Sequence, residues 1–481
     1  MPSQISNLVK WAGCLLILIS VTEPAHSTPP VVGKISFARG SVAAQQAGES
    51  PRILGKDADV FRGDNIQTSE RSFVIIEFND GAKVTVRPNS NFSIDQYDAQ
   101  AAQQPSAQLS LHEGGLRAEN GDIAKQSAEN FQIKTDMGTV KAQQADYSVR
   151  VCTQDCEQEA ASKEEVSVKS DQNVVARVAD IKGQIFAKNH AEQNAQERAL
   201  SLGSPLYNQD ELRSQADSYA LLVFRDGEKI TLQAESKLDI AQYHFQQAGV
   251  KDNAVYRLTT GGMRVLTGSI GKANKDAYTV ETPVGTIGIR GTGFDLSCVG
   301  DCVAESAKLN AKRQATDKLP DGLYSHVWQG QIALTNESGE HLITMPDSRY
   351  TANLQSQTLV FPNLPDALFE TIAPRPDRPA INIEKLFGAQ AHKNSPPGLY
   401  VTVHKGHVQL VKNTTVDLGK GEAAYASHQH HATRLKEQPS FQTQDNYTAS
   451  KTRDEQQELS DKSSLLRDVD DKKDGGDCQA P

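Results

Sequence analysis

Little in this chain points to nucleic acid, to a membrane bundle or to a familiar catalytic centre. Lys and Arg number 50 against 60 Asp and Glu, a formal charge of −10. A chain without a basic surplus has no surface for displacing counterions from a phosphate backbone or for docking on anionic lipid. After the first 27 residues no apolar run approaches the roughly 20 residues that a bilayer-spanning helix needs. No long stretch carries the periodicity of a helix, so an all-β chain is expected. Catalytic signatures are missing too: no H-E-x-x-H, no G-x-S-x-G, no Walker-type loop and no EF-hand loop. Paired carboxylates such as Glu164-Glu165 and Asp470-Asp471 sit in charged, polar runs, whereas a glycosidase needs two carboxylates across a cleft. The sequence reads as a non-enzyme, with no cofactor and no metal.

What is present begins with an export signal. Lys10 precedes an apolar run from Trp11 to Val21, and Ala25-His26-Ser27 offers small residues at a cleavage site. The run would rise only about 16 Å as a helix, too short for a hydrocarbon core of about 30 Å. Residues 1–27 are therefore expected to be a signal peptide, with a mature start near Thr28 and a periplasmic or secreted destination. Cysteine usage agrees with an oxidising compartment. Cys152-Thr-Gln-Asp-Cys156 and Cys298-Val-Gly-Asp-Cys302 repeat one C-x-x-x-C spacing. Such a spacing suits a short hairpin loop that brings two Cα atoms within disulfide reach. A zinc site built from both pairs is the alternative, and it requires the two pairs to meet. Cys478 is left over in a polar tail.

The repeat of the cysteine pair belongs to a larger one. A shift of 146 residues carries Asp64 onto Asp210, Phe78 onto Phe224, Asp80-Gly81 onto Asp226-Gly227, Tyr97 onto Tyr243 and Cys152 onto Cys298. In between, a shift of 147 carries Arg117 onto Arg264, Gly121 onto Gly268, Thr135 onto Thr282 and Gly138 onto Gly285. Residues 31–156 and 177–302 are read as two copies of one strand-built unit. Ser72 to Phe78, then Asn79-Asp80-Gly81, then Lys83 to Val86 is a hairpin signal, since Asp-Gly supplies the positive φ of a tight turn. Tyr219 to Phe224, Asp226-Gly227 and Lys229 to Leu232 repeat it. The first run of each is expected to be buried on both faces and the alternating second run to have one wet face.

The second copy carries Thr282-Pro283-Val284-Gly285-Thr286-Ile287-Gly288-Ile289-Arg290-Gly291-Thr292-Gly293-Phe294. With Asp210, Phe224, Asp226-Gly227 and Gly268 this resembles the FecR domain family. Thr282, Pro283, Gly285, Arg290, Gly291, Thr292 and Phe294 are the motif positions. The first copy has Gln143-Gln144-Ala145 where the second has Arg290-Gly291-Thr292. The resemblance implies an all-β domain, solenoid-like or sandwich-like, outside the inner membrane. In signalling members that domain is joined to a cytoplasmic sigma-factor regulator. Only Met1 to Lys10 precede the apolar segment here, so an anti-sigma role by the chain itself is not expected. The glycine-rich run suits a tight β-corner better than a phosphate cradle, because no helix follows it.

Downstream, Gly322-Leu323-Tyr324 with Gly330 and Tyr350 is echoed 76 residues later by Gly398-Leu399-Tyr400 with Gly406 and Tyr425. Two small β-units are expected at 303–360 and 398–432, joined by a proline-rich extended connector at 361–397. His428-Gln429-His430-His431 is read as solvated linker, and 433–481 as a tail without structure. The combined expectation is an exported cell-envelope binding or scaffold module whose partner is an envelope protein or a glycan. The alternatives are a sensing component working with a separate membrane regulator, and a carbohydrate-active enzyme on a β-scaffold. Peptide mapping of the unreduced protein is expected to return two internal links, Cys152–Cys156 and Cys298–Cys302. Four free thiols at these positions would contradict the oxidising-compartment reading.

Overall fold

The computed structural model describes residues 29–101, 104–125, 127–161, 168–169, 174–193, 195–246, 251–289, 291–304, 319–360, 372–391 and 395–443. The expected signal peptide, Cys478, Arg290, Glu164-Glu165 and Asp470-Asp471 lie outside these residues. Strands dominate, gathered into a 15-stranded and a 17-stranded sheet, with one further two-stranded pairing of Val168–Lys169 and Glu437–Gln438. The chain is all-β.

The two copies repeat one pairing scheme. Phe73–Phe78 and Lys83–Val86 form the Asp-Gly hairpin of the first, Tyr219–Phe224 and Lys229–Leu232 that of the second. Each copy also has one parallel pairing at the same place, Phe131–Thr135 beside Ser106–Glu119 and Tyr278–Thr282 beside Asn253–Leu266. In the second copy Asn253–Leu266 belongs to two ladders. Its first half pairs with Lys237–His244, and its second half with Lys229–Leu232 and Gly293–Val299. Both ladders send side chains into one core, from Ala176 and Phe224 to Tyr256 and Val280, so the unit is a sandwich.

The hairpin aspartates do more than turn the chain. Asp80 accepts hydrogen bonds from the Ala82 and Ile123 amides and from the Tyr97 hydroxyl. Asp226 does the same with the Glu228 and Ile270 amides and the Tyr243 hydroxyl. Asp64 and Asp210 are fully buried. They hold Arg52 and Arg198 and the backbone amides of Phe61 and Tyr207. The residues that mark the repeat in the sequence are thus buried acceptors that tie neighbouring strands together. The alternating runs are not wet on one face: Thr85 and Thr231 are buried. They lie beside Arg117 and Arg264 in the ladders. Those arginines pair with Asp146 and Asp295 and cover the outer face.

The small C-terminal units do not stand alone. Gly322–Gln329 pairs with Gly293–Val299, and Gln331–Asn336 with Gly285–Ile289, so the first unit closes the second copy. The second unit travels back. Gly398–Lys412 pairs with Gly138–Cys152 from Thr139↔Val411 to Cys152↔Gly398 and closes the first copy in the same way. Leu399, Val401, Val408, Leu410 and Leu418 share one core with Ile35, Phe92 and Tyr147. The second copy with its closing unit is therefore inserted between the first copy and its own. The echo in the sequence is explained by duplicate closures. Tyr324 and Tyr350 pack at 5.0 Å and Tyr400 and Tyr425 at 4.9 Å, each hydroxyl donating to a carbonyl at Pro320, Asp321, Pro396 or Pro397. Order also runs past 432. Thr433–Leu435 joins the first sheet and Phe441 is buried against Tyr400, so 433–443 is not tail.

The proline-rich connector is docked rather than free along its described part. Arg264 donates to the Ala373 carbonyl and Lys229 to that of Pro379, and Arg375 lies over the Trp328 ring. Phe387 is flanked by the Arg177 and Arg225 guanidinium groups at 5.9 and 4.9 Å. The cysteine pairs close, with Cα separations of 5.5 and 4.5 Å. The first is not a hairpin: Cys152 ends a strand and Cys156 lies in the helix Asp155–Ala161.

The two bodies meet through a fully buried ion pair, Arg177 of the second copy with Glu422 of the returning unit. Gly419 N–H donates to the same carboxylate at 2.8 Å, and Arg177 donates to Gly203 O at 3.1 Å. The cations around Glu422 hold its carboxyl below the usual range despite complete burial. Removing one partner leaves the other charged and unpaired. Arg177→Ala is expected to destabilise the junction by roughly 3–5 kcal/mol, whereas Arg177→Met with Glu422→Leu restores most of it. Denaturant melts of the three proteins check this.

Candidate functional site

The kink in each closing strand shapes the site. In the second copy the strand breaks between Gly285–Ile289 and Gly293–Val299, with Gly291 at φ +72°. In the first copy Gly138–Cys152 runs through, but its register shifts between Gln143 and Asp146, and Gln144 takes φ +47°. That conformation costs a non-glycine residue about 1–2 kcal/mol. Opposite it lies Gly406, where a Cβ would collide with the Gln144 carbonyl oxygen. The bulge turns Gln143, Gln144 and Ala145 toward the second copy.

There they wall a cleft of about 700 Å³. Its first wall is Glu119 to Gly121 and Gln143 to Asp146, its second is drawn from Asn189, Ala191, Glu192, Ala195, Gln196, Arg198, Pro205 and Tyr207 to Gln209, and Lys405 to His407 with Lys420 close it. Most charged groups are already matched. Arg117 binds Asp146 at 2.7 and 2.6 Å, Lys420 binds Glu192 at 2.8 Å, His407 meets Asp417 at 3.2 Å and Arg198 holds Asp210. Lys420 also lowers the Glu192 carboxyl below its ordinary range. Glu119 differs: burial, then the neighbouring Asp146, pushes its carboxyl up, and its Oε1 has no partner. Gln143 is 7% exposed, and its amide makes no hydrogen bond among the described residues. It lies in the wall of a polar cleft.

Among the described residues the sequence-derived motif does not assemble a pocket of its own. Thr282 Oγ1 donates to the Gly285 carbonyl at 2.8 Å and closes the hairpin, as Thr135 does to Gly138 at 3.0 Å. Pro283 stands in that turn. Thr292 N–H donates to Thr267 Oγ1 at 3.1 Å, and Phe294 is in the core. Cys152, Cys156, Cys298 and Cys302 are buried and bonded in pairs. His428, His430 and His431 lie in an exposed loop between Ala423–Ala426 and Thr433–Leu435, a hairpin rather than a linker. The cleft was missed because its walls come from three separated segments. The one signal in the sequence was the replacement of Arg290-Gly291-Thr292 by Gln143-Gln144-Ala145.

Set beside this geometry, the FecR protein family model matches residues 64–176 and 210–309. The chain is a tandem FecR-domain protein. The two matches begin at the buried Asp64 and Asp210 and end past the cysteine pairs. Two solved structures of a candidate anti-sigma factor from Parabacteroides distasonis ATCC 8503 are similar at 12% identity and a TM-score of 0.22, over 31% of this chain and 58% of that one. The chain thus spans less than two thirds of that protein, and at this score the likeness carries no argument. No curated protein matches. Among the described residues no helix is long and apolar enough to cross a membrane.

The most perturbed carboxyl of the FecR pair lies away from the cleft. Glu228 is fully buried, bonded by the Tyr256 hydroxyl, and ringed by Tyr278, Asp226 and Tyr243. The first copy has Ala82, Leu109 and Phe131 at the places of Glu228, Tyr256 and Tyr278. Burial, reinforced by Asp226, drives the Glu228 carboxyl well above its ordinary range. The folded state then holds a proton that the unfolded chain releases above about pH 4.5. Stability from this group is full below that pH and falls as pH rises toward the folded value. Glu228→Gln is expected to flatten this slope and to raise the Tm at pH 8 by about 2–4 °C, the equivalent of about 1 kcal/mol, with little change at pH 4. Thermal scans across pH check the sign.

Proposed function

We propose that this FecR-domain protein is an exported, non-catalytic binding module of the cell envelope, with the cleft between its two copies as the ligand site and a separate protein as its reader. The observation that carries the reading is a polar cleft walled by Gln143 and Gln144, one that exists only where the C-terminal strand returns. Two closed disulfides suit an oxidising compartment, and the family match favours a regulatory, sensing role over a purely structural one. The acidic groups favour binding over glycoside hydrolysis. Glu119 and Asp146 are cross-strand partners on one wall and Glu192 stands on the other, but Asp146 and Glu192 are engaged by Arg117 and Lys420, whereas hydrolysis needs two carboxyl groups available to the bond to be cut. On this reading a glycan is the ligand and an envelope protein the reader.

Hydrogen exchange on the full chain, with and without envelope extract, tests this. Protection is expected at 119–121, 143–146 and 405–407. Protection confined to other surfaces, with these segments unchanged, would sink the cleft reading. N-terminal sequencing of the envelope fraction is expected to begin near Thr28, and recovery of the intact N-terminus in the cytosol would sink the export reading.

A further inference from the structure

We infer that the cleft takes an uncharged saccharide; this rests on the cleft being the ligand site. The first ground is electrostatic. Asp146, Glu192, Arg198, His407 and Lys420 are each engaged by a partner within the protein. Glu119 is pushed toward its neutral form by burial and by Asp146. Lys405 is exposed at the rim, where solvent screens it. An ionic ligand would have to enter against this balance or break one of the pairs; unpairing Asp210 from Arg198 is costly because that carboxylate is fully buried, whereas the half-exposed Lys420–Glu192 pair is held less tightly.

The second ground is the kind of hydrogen-bonding group left over. Gln143 and Gln144 stand on the first wall, and Gln196 and Gln209 on the second, with no side-chain hydrogen bonds among the described residues. Each primary amide offers a carbonyl acceptor beside two N–H donors. That pairing meets a hydroxyl, which both donates and accepts, and an acetamido group, which does the same. Carboxylates and phosphates would use only the donors. Gln143 is only 7% exposed, so hydrogen bonds from its amide to a ligand displace little water.

The third ground is the apolar surface between the amides. Ala145, Ala191, Ala195 and Pro205 line the same cleft beside Tyr207. Small side chains admit the C–H faces of a pyranose while the amides reach its hydroxyl edges. The Tyr207 ring is held in place: its oxygen accepts from the Lys420 amide at 2.9 Å, and the Arg198 guanidinium lies 5.2 Å from its centroid. The volume falls within the roughly 300–1,000 Å³ of small-ligand clefts.

Calorimetric titration of the full mature chain with N,N′-diacetylchitobiose, cellobiose and glutamate tests this. One of the two disaccharides is expected to bind with one-to-one stoichiometry. Gln143→Met, which keeps length and volume, and Gln209→Ala on the opposite, exposed wall are each expected to weaken it about tenfold, the loss of one or two hydrogen bonds. Circular dichroism and melting of Gln209→Ala should match the parent, so a folding defect in one variant leaves the other informative. Failure of both disaccharides to bind, or binding indifferent to both substitutions, overturns the inference. Glutamate binding abolished by Gln143→Met would overturn the saccharide class while keeping the cleft as a ligand site. No response at the cleft to any probe or to envelope extract would overturn both.

Discussion

Antiparallel pairing between Gly138–Cys152 and Gly398–Lys412 is the constraint on which the first half of the molecule rests. Without it, a long strand would expose a row of unpaired amides and carbonyls, and Leu399, Val401, Val408 and Leu410 would be missing from the core. The two strands are separated by the entire second copy. Closing a long flexible loop costs only slowly more entropy as it lengthens, and here the loop is a folded body, not a flexible chain. The Arg177–Glu422 pair, the docked connector and the short pairing of Val168–Lys169 with Glu437–Gln438 hold its ends together. The second copy finds its closing strands next in sequence, whereas the first must wait for the end of the chain. Non-local pairing of this kind is intrinsically slower to form.

Duplication preserved the frame and let the interior diverge. Asp64 and Asp210, Asp80 and Asp226, Tyr97 and Tyr243 hold equivalent bonds. Inside that frame one copy packs Ala82, Leu109 and Phe131, and the other a buried acid with two tyrosines. The exchange is coupled, because Glu228 buried among apolar neighbours would leave a carboxyl with nothing to bond. The Tyr256 hydroxyl, at the place of Leu109, supplies a partner, and Tyr278, at the place of Phe131, stands beside the acid. The kinked closing strand diverged in the same manner, with Gly291 relaxed in the left-handed region and Gln144 forced into it.

The cleft inherits both features. Its first wall is the strained bulge of the first copy, its second the edge of the inserted copy, and the returning strand brings Lys405, Gly406 and His407 between them. Occupancy of such a cleft bears directly on the pairing that closes the first body, since the same strand lines one and makes the other. This is a physical route by which a binding event could alter the exposed surface of the protein.

The chain by itself determined that strands dominate, that residues 31–156 and 177–302 carry one repeated pattern, and that 322 onward and 398 onward echo each other. Each of these is a local matter of alternation, Asp-Gly turns, glycines and tyrosines at fixed offsets. Which copy each echo closes was decided only in three dimensions. Gly322 and Gly398 open strands with the same Gly-Leu-Tyr start, and local pattern does not distinguish a partner close upstream, Val299 for Gly322, from one across an inserted body. The cleft was equally illegible, since Gln143, Gln209 and Lys405 share no spacing and become neighbours only through the return of the last strand. Thr85 and Thr231 alternate as solvent-facing positions would, yet they are buried, because arginines from an adjacent strand lie over them. Strand propensity is written residue by residue; the choice of strand partner is a property of the whole folded chain.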